Sequence, residues 1–347
     1  MALHRYENNP IITVDNIKPS LPDLIVAGVF NPGATRFGNE VILLLRVAEW
    51  CRQESGWVQI PVARIEDGQS QVEIRRWRKD AHTCNLSDSR EYWIDGKMYL
   101  SSLSHLRLAR SIDGIHFRVD ETPFMLPARS DELYGVEDAR ICNIDNQYYI
   151  TYTAVSEDGY GVCLATTHDW LQVRRLGMIL PAQNKNAVFF SEKINDKYWL
   201  LHRPLVEFLG KPSIWLAKSH DGLFWGEHRC LMTPRDNPWE SQKIGVGPEP
   251  IQTEAGWLIL YHGCGKNGYS LHLALLDLEN PNRVLARTEY PVFKPDMAYE
   301  QTGFFPNVVF CNGWVRFADN RLLIYYGAAD SSVCVAETRV ETLLSML

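Results

Sequence analysis

Four short segments of this chain repeat one another at an almost constant spacing. ARSIDGIHF (109–117), ATTHDWLQV (165–173) and AKSHDGLFW (217–225) are close copies, and ALLDLENPNRV (274–284) is a more diverged fourth. Their turn aspartates Asp113, Asp169, Asp221 and Asp277 lie 56, 52 and 56 residues apart. In each copy an apolar strand runs into a turn at Asp-Gly or a substitute, and a second strand follows. A block such as YYITYT (148–153) or YWLLHR (198–203) comes shortly before. Other apolar runs also have strand length, among them VILLLRVA (41–48), WLILYHG (257–263) and LLIYYGAA (322–329), with Gly, Asn and Asp between them. Helical periodicity is scarce.

A period near 55 residues holding about four strands is the signature of a propeller blade, and about 300 residues at that period make about five blades. The sequence therefore predicts an all-β fold, a five-bladed β-propeller. Residues 1–347 read as one catalytic domain, because no Pro/Ser-rich or low-complexity tract divides them. The strand near VCVAET (333–338) is expected to close against the N-terminal segment, which removes free edges. In such a fold the ligand site is a central funnel, so functional residues are scattered along the chain, one or two per blade.

Composition narrows the function. Lys+Arg 35 against Asp+Glu 42 gives a net charge of −7, a poor match for nucleic acid. No run of 18 apolar residues is present, so no membrane span is expected. The eight cysteines form no CxxC pair, and MALHRYENNP has no charged and then apolar leader. The expectation is eight reduced thiols in a cytoplasmic protein. No His/Asp/Glu cluster has metal-ligand spacing, and no GxxxxGK[ST], GxGxxG or GxSxG motif occurs. Neither a metal nor an organic cofactor is expected. The 11 tryptophans are mostly core material, with a weak leaning to sugar binding.

GVEDARI (135–141) places Glu137, Asp138 and Arg140 just before a strongly apolar strand. Burial disfavours the charged form of a carboxylate and so suits it to donate a proton. Strand alternation puts Asp138 and Arg140 on one face and Glu137 on the other. An Asp–Arg ion pair at a turn would look the same. Arg46, Lys185, Arg203 and Lys243 are four cations beside apolar strands of an acidic protein, with Asn186, His202 and His262 close to them in sequence. Buried cations need partners, and convergent ones call for a multivalent anion, with phosphate the natural candidate. An acid facing a cationic pocket suggests attack by phosphate on an anomeric carbon while the acid protonates the leaving oxygen. An inverting hydrolase would need a second carboxylate to activate water.

These residues resemble glycoside hydrolase family 130, the β-mannoside phosphorylases and related β-mannosidases. The likeness runs from RYENNPIIT (5–13) to YYGAADSSVCVAE (325–337). It passes through VFNPGA (29–34), LLLRVAE (43–49), GVEDARI, NKNAVFF (184–190), KIGVGPEPI (243–251), GWLILYHG (256–263) and GFFPNVVFCNG (303–313). The resemblance implies a five-bladed propeller in which Asp138 is the acid, relaying its proton through the mannose 3-hydroxyl. Ala139 stands where proline is usual. The phosphate-binding positions look like Lys185, Asn186, Arg203, Lys243 and His262, with inorganic phosphate as co-substrate and no cofactor. The mannose contacts look like Asn31, Arg46, Arg140 and Asp330. Family members that hydrolyse have lost parts of the cationic set, which this chain keeps.

Glu249 departs from the pattern, in a loop position where an uncharged residue is usual. Near the phosphate site it would repel the anion and serve as a base for water; facing solvent it would be a surface residue. The partners implied are a mannose-containing di- or oligosaccharide and phosphate, with homo-oligomerisation left open. The opening segments and LHRPLVEFLGKPSIWLAKS (201–219) look like the β-1,2 branch, whereas KIGVGP and PNVVF look like the β-1,4 branch. The reading is inverting phosphorolysis of β-mannosides, β-1,2 preferred, giving α-mannose 1-phosphate. A β-1,2-mannosidase and a non-catalytic sugar-binding propeller are the alternatives.

Overall fold

The computed structural model describes residues 3–66, 69–206 and 208–347. Strands dominate it, and α-helix among the described residues is confined to Ala298–Gln301 and Val340–Leu344. No helix among them is long and apolar enough to cross a membrane.

The strands form five antiparallel units of similar plan. The first contains Leu24–Phe37, Glu40–Cys51, Ser102–Ser111 and Arg118–Val119. The second contains Gly135–Ile144, Gln147–Ser156, Gly159–Thr167 and Arg174–Leu180; a parallel bridge at Gly135–Ser104 joins it to the first. The third contains Asn184–Phe189, Tyr198–Pro204, Ile214–Ser219 and Gly226–Met232. In the fourth, Lys243–Val246 and Ile251–Thr253 share the first position, before Gly256–Gly265, Gly268–Leu276 and Val284–Arg287. The fifth takes Val309–Arg316, Arg321–Ala328 and Ser332–Arg339 from the C-terminal end and its fourth strand, His4–Arg5, from the N-terminal end.

The turn aspartates do one job four times. Asp113 Oδ1 accepts from the amides of Ile115 (2.9 Å) and His116 (2.8 Å), and Asp221 Oδ1 from those of Leu223 (2.8 Å) and Phe224 (2.9 Å). Asp169 and Asp277 accept from the corresponding amides in their own turns. Each closes the turn from third to fourth strand, where Asp is favoured because its short side chain satisfies nearby amides. The fifth unit has no such turn because its fourth strand comes from the other end of the chain.

The near-continuous apolar runs reflect burial on both strand faces. Leu43, Leu45 and Val47 pack with Leu323, Tyr325 and Val335, forming a seam between the first and fifth units. Ile42 and Leu44 face the opposite way, into a seam with Ile141 and Ile150 of the second unit. Three further apolar clusters lie between the second and third, third and fourth, and fourth and fifth units.

A polar device recurs at the ends of three units. A glutamate just before the first strand holds a tyrosine of the second strand and an arginine of the fourth. In the second unit Glu132 accepts from Tyr152 Oη (2.6 Å) with Arg175 at 3.5 Å. In the fourth, Glu240 accepts from Tyr261 Oη (3.0 Å) and Arg287 Nη2 (3.2 Å), and also pairs with Arg235. In the fifth, Glu300 accepts from Tyr326 Oη (2.8 Å) and from Arg5 Nε (2.7 Å), which pins the N-terminal strand. The third unit uses Asn184, His202 and His228 in the same places.

Breaking one of these knots leaves buried groups without an acceptor. Glu240→Ala strands two guanidinium groups and a phenol and should cost about 3 kcal/mol, the low end for a buried pair because Arg235 is partly exposed. Urea unfolding of the variant and the parent measures it; a loss under about 1 kcal/mol would mean the knot is ornamental.

Candidate active site

Ladder register shows how the repeat builds one cavity. The directly paired residues Phe30–Arg46, Glu137–Thr153, Lys185–Arg203, Gly245–His262 and Phe310–Gly327 occupy the same place in the five units, on first and second strands. After Phe30, Glu137 and Lys185 the ladder slips. The next residues, Asn31, Asp138 and Asn186, have φ of 49°, 50° and 52°. Asn and Asp tolerate this left-handed conformation better than other side chains. Gly245 makes room for the arrangement, since a Cβ there would collide with Asn186 Nδ2 and His262 Nε2.

The slip overturns the alternation expected from sequence. Because the bulge adds a residue and turns Asp138 inward, Glu137 and Asp138 both line the cavity, and Arg140 does not. Arg46 donates through Nη2 to Glu137 Oε1 (2.8 Å) and through Nη1 to Asp138 Oδ1 (3.1 Å). Asn31 Nδ2 also donates to Asp138 Oδ1 (3.1 Å). Lys185 Nζ lies 3.5 Å from Glu137 Oε2 and 3.7 Å from the centre of the Tyr160 ring. Glu137 therefore bridges two cations, a place the sequence reading did not give it although it adjoins Asp138.

The cavity, of about 430 Å³, gathers Asn31, Arg46, Asp138, Lys185, Asn186, Arg203, Lys243 and Asp330. Arg203 and Lys243 have no carboxylate within ion-pair distance among the described residues, and Arg203 Nε is buried without a partner. Burial lowers the pKa of both, and the positive charges of Arg203 and Lys185 lower that of Lys243 further. Lys243 Nζ sits 5.3 Å from the Tyr269 ring centre.

Three expected contacts lie outside the cavity lining. His262 is fully buried behind the cluster, where its Nε2 accepts from Asn186 Nδ2 (3.2 Å) and Arg203 Nη1 (3.3 Å). An arginine only donates, so Nε2 carries the lone pair and the ring holds Arg203 in place. Arg140 spends its guanidinium on the carbonyls of Gly247 (2.9 Å), Val246 (3.0 Å) and Asp138 (3.0 Å), which ties the second unit to the fourth. Glu249 lies neither in the cavity lining nor on the open surface: the residue is half-buried, its Oε2 is buried without a partner among the described residues, and burial pushes its carboxyl well above the usual range. The first strand of the fourth unit breaks between Val246 and Ile251, and this break carries Glu249 past the cavity.

The two cavity aspartates have opposite electrostatics. Burial pushes the Asp138 carboxyl up, but Arg46, Lys185, Arg140 and the Asn31 hydrogen bond outweigh it and hold it below the usual range. Desolvation alone, the basis of the sequence argument, is therefore not what sets this group. Asp330 makes no side-chain hydrogen bond or ion pair among the described residues; burial raises its carboxyl to about 7, with Arg46 opposing and Asp138 and Glu137 adding to the rise.

This gives a pH signature. The native state binds the Asp330 proton more tightly than the unfolded chain, whose aspartates titrate near 3.9. Stability from this group is therefore lost as pH rises from about 4 through 7. Asp330→Asn, always neutral, should raise Tm at pH 8 by a few degrees and hardly change it at pH 4.5. Thermal melts at the two pH values check this; equal shifts would contradict it.

Known proteins resemble this chain in sequence and fold. A family model described as beta-1,4-mannooligosaccharide phosphorylase, of glycoside hydrolase family 130, matches residues 90–347. A beta-1,2-mannobiose phosphorylase of Listeria innocua is 40% identical over 353 residues, covering 100% of this chain and 99% of that protein. A 1,2-beta-oligomannan phosphorylase of Thermoanaerobacter is 41% identical over 243 residues, 69% of this chain and 79% of the relative. A solved structure of the Listeria innocua beta-1,2-mannobiose phosphorylase in complex with beta-1,2-mannobiose superposes with a TM-score of 0.94 at 39% identity, covering 100% of this chain and 99% of that one. The chain belongs to glycoside hydrolase family 130.

Proposed function

We propose that this protein is an inverting β-1,2-mannoside phosphorylase that converts a β-1,2-linked mannobiose or oligomannan and inorganic phosphate to α-mannose 1-phosphate. The observation that carries the reading is the pair Arg203 and Lys243, enclosed beside Asp138 with no carboxylate of their own. Such cations are stable companions only for an anion that arrives with the substrate. Full-length similarity to a β-1,2-mannobiose phosphorylase supports the β-1,2 linkage over the β-1,4 linkage in the family model's description.

In this reading Asn31, Arg46 and Asp330 hold the mannose, and Lys185, Asn186, Arg203 and Lys243 hold phosphate. His262 keeps Arg203 aimed. A phosphate oxygen attacks the anomeric carbon, the glycosidic bond breaks, and the departing oxygen takes a proton from Asp138 through the sugar 3-hydroxyl. Asp138 is ionised while the cavity is empty. A phosphate dianion beside Lys185 and Arg203 offsets the positive charge that keeps it so and lifts its pKa, so the nucleophile helps to charge the acid. Glu249, the base considered for the hydrolytic alternative, lies outside the cavity lining, which favours phosphorolysis.

The five units are read as blades of a single-domain, five-bladed propeller, supported by five apolar seams that include one between the fifth and first units. All eight cysteines are free thiols, in keeping with a cytoplasmic setting.

The test is the rate of β-1,2-mannobiose cleavage against phosphate concentration. A rate that climbs from near zero and saturates, with α-mannose 1-phosphate as product, is expected. A rate already maximal without phosphate, releasing free mannose, overturns the reading. Asp138→Asn should cut kcat by about 10²–10⁴, the range of general acid catalysis. Arg203→Ala should raise the KM for phosphate by about one to two orders of magnitude, one charge-assisted contact, and move the KM for mannobiose less.

A further inference from the structure

The second and third strands of the first unit are separated by an arm, residues 52–101, which none of the other units has. It holds the hairpin Trp57–Glu66 and Gln69–Arg78 and the small sheet Cys84–Asn85, Glu91–Ile94 and Lys97–Leu100. Val58, Ile60, Val62, Ile94 and Tyr99 pack it onto Tyr134 and Val155 of the second unit, so the arm is a fixed wall. Arg90 and Leu100 of this arm line the cavity.

Arg90 is unlike Arg203 and Lys243, which have no carboxylate within ion-pair distance among the described residues. Asp88 accepts from its Nε (3.0 Å), its Nη2 (2.7 Å) and its backbone amide (2.9 Å). Its guanidinium lies 5.2 Å from the ring centre of Phe305, which belongs to the loop before the first strand of the fifth unit. Nη1 has no hydrogen-bond partner among the described residues, and the side chain is 53% exposed, against 33% for Asp88. A guanidinium already matched by a carboxylate has little left for an anion. With one free donor edge, a flanking carboxylate and an aromatic face, it suits neutral sugar hydroxyls.

We propose that the Asp88–Arg90 pair, with Phe305, binds the hydroxyls of the leaving-group sugar and makes the arm the wall that selects the acceptor. This rests on the phosphorylase reading and names a residue set for its second sugar. The family model starts at residue 90, so Asp88 and the hairpin lie outside it, whereas the β-1,2-mannobiose phosphorylase relative is matched along the full chain. The match begins inside the arm, so the model leaves out the arm's hairpin together with the first two strands of the first unit.

The experiment uses Arg90→Ala, Arg90→Lys and Asp88→Asn in the full chain, each checked for an unchanged Tm. The parent is assayed first: without phosphate-dependent cleavage of β-1,2-mannobiose, the phosphorylase reading fails and the binding arm below still tests the pair. The KM for β-1,2-mannobiose should rise about 10- to 100-fold in Arg90→Ala, the size of one charge-assisted hydrogen bond, while the KM for phosphate stays within about twofold. Arg90→Lys keeps the charge but loses the two-pronged grip on Asp88, so it should lose most of the same affinity. Calorimetric titration of β-1,2-mannobiose into Asp138→Asn, with and without Arg90→Ala, should show the same drop without turnover. A rise in the phosphate KM alone would place Arg90 in the anion site, and no change in either constant would make the pair structural; both overturn the proposal.

Discussion

The cavity depends on a backbone detail shared by Asn31, Asp138 and Asn186, each at φ near 50° where its strand slips register. An unbroken strand sends successive side chains to opposite faces, so only one of each adjacent pair could face inward. The left-handed residue cancels that rule locally. Glu137 and Asp138 can then share Arg46, and Lys185 and Asn186 can stand side by side at the cavity wall. The first three units each give at least two polar groups to one small volume without interrupting the apolar seams on either flank.

Charge in this volume is split rather than balanced in pairs. Glu137 and Asp138 absorb Arg46 and part of Lys185, leaving Arg203 and Lys243 without carboxylates and Asp330 without a cation at contact distance. On the proposed reading, the side holding Arg203 and Lys243 takes the anion and the side holding Asp330 takes neutral hydroxyls. His262, a neutral ring between Asn186 and Arg203, fixes the geometry of the anion side without adding charge.

What could be read from sequence follows the range of the interaction. The four turn aspartates were legible because each bonds amides two and three residues ahead, so the signal is wholly local. Asp138, Lys185, Arg203 and Lys243 stood out as charges next to apolar strands, and they do meet in one cavity. Arg140 and Glu249 were misplaced because their direction depends on a bulge and a strand break, which hydrophobic patterning does not reveal, whereas His262 does reach the cluster, from behind, through Asn186 and Arg203. The Glu132–Tyr152–Arg175 knot and its relatives were invisible for another reason: their members are separated in sequence by a whole unit's length and have no shared local motif. The Asp88–Arg90 pair was overlooked because alternating charges on a short exposed segment look like ordinary solvated surface.

The fifth unit borrows its last strand from the opposite end of the chain, and this sets an order of events during synthesis. Ile12 bridges to Val333, about 320 positions later. At roughly 5–20 residues per second, that partner leaves the ribosome about 15–65 s after Ile12 does. Units two to four can each bury a face against the preceding unit as they emerge. The N-terminal segment and the free face of the first unit must wait, apolar and uncovered, until the last residues arrive. The latch that finishes the molecule is therefore made of its oldest segment, and a nascent chain is vulnerable to wrong partners at its beginning for as long as its end is missing.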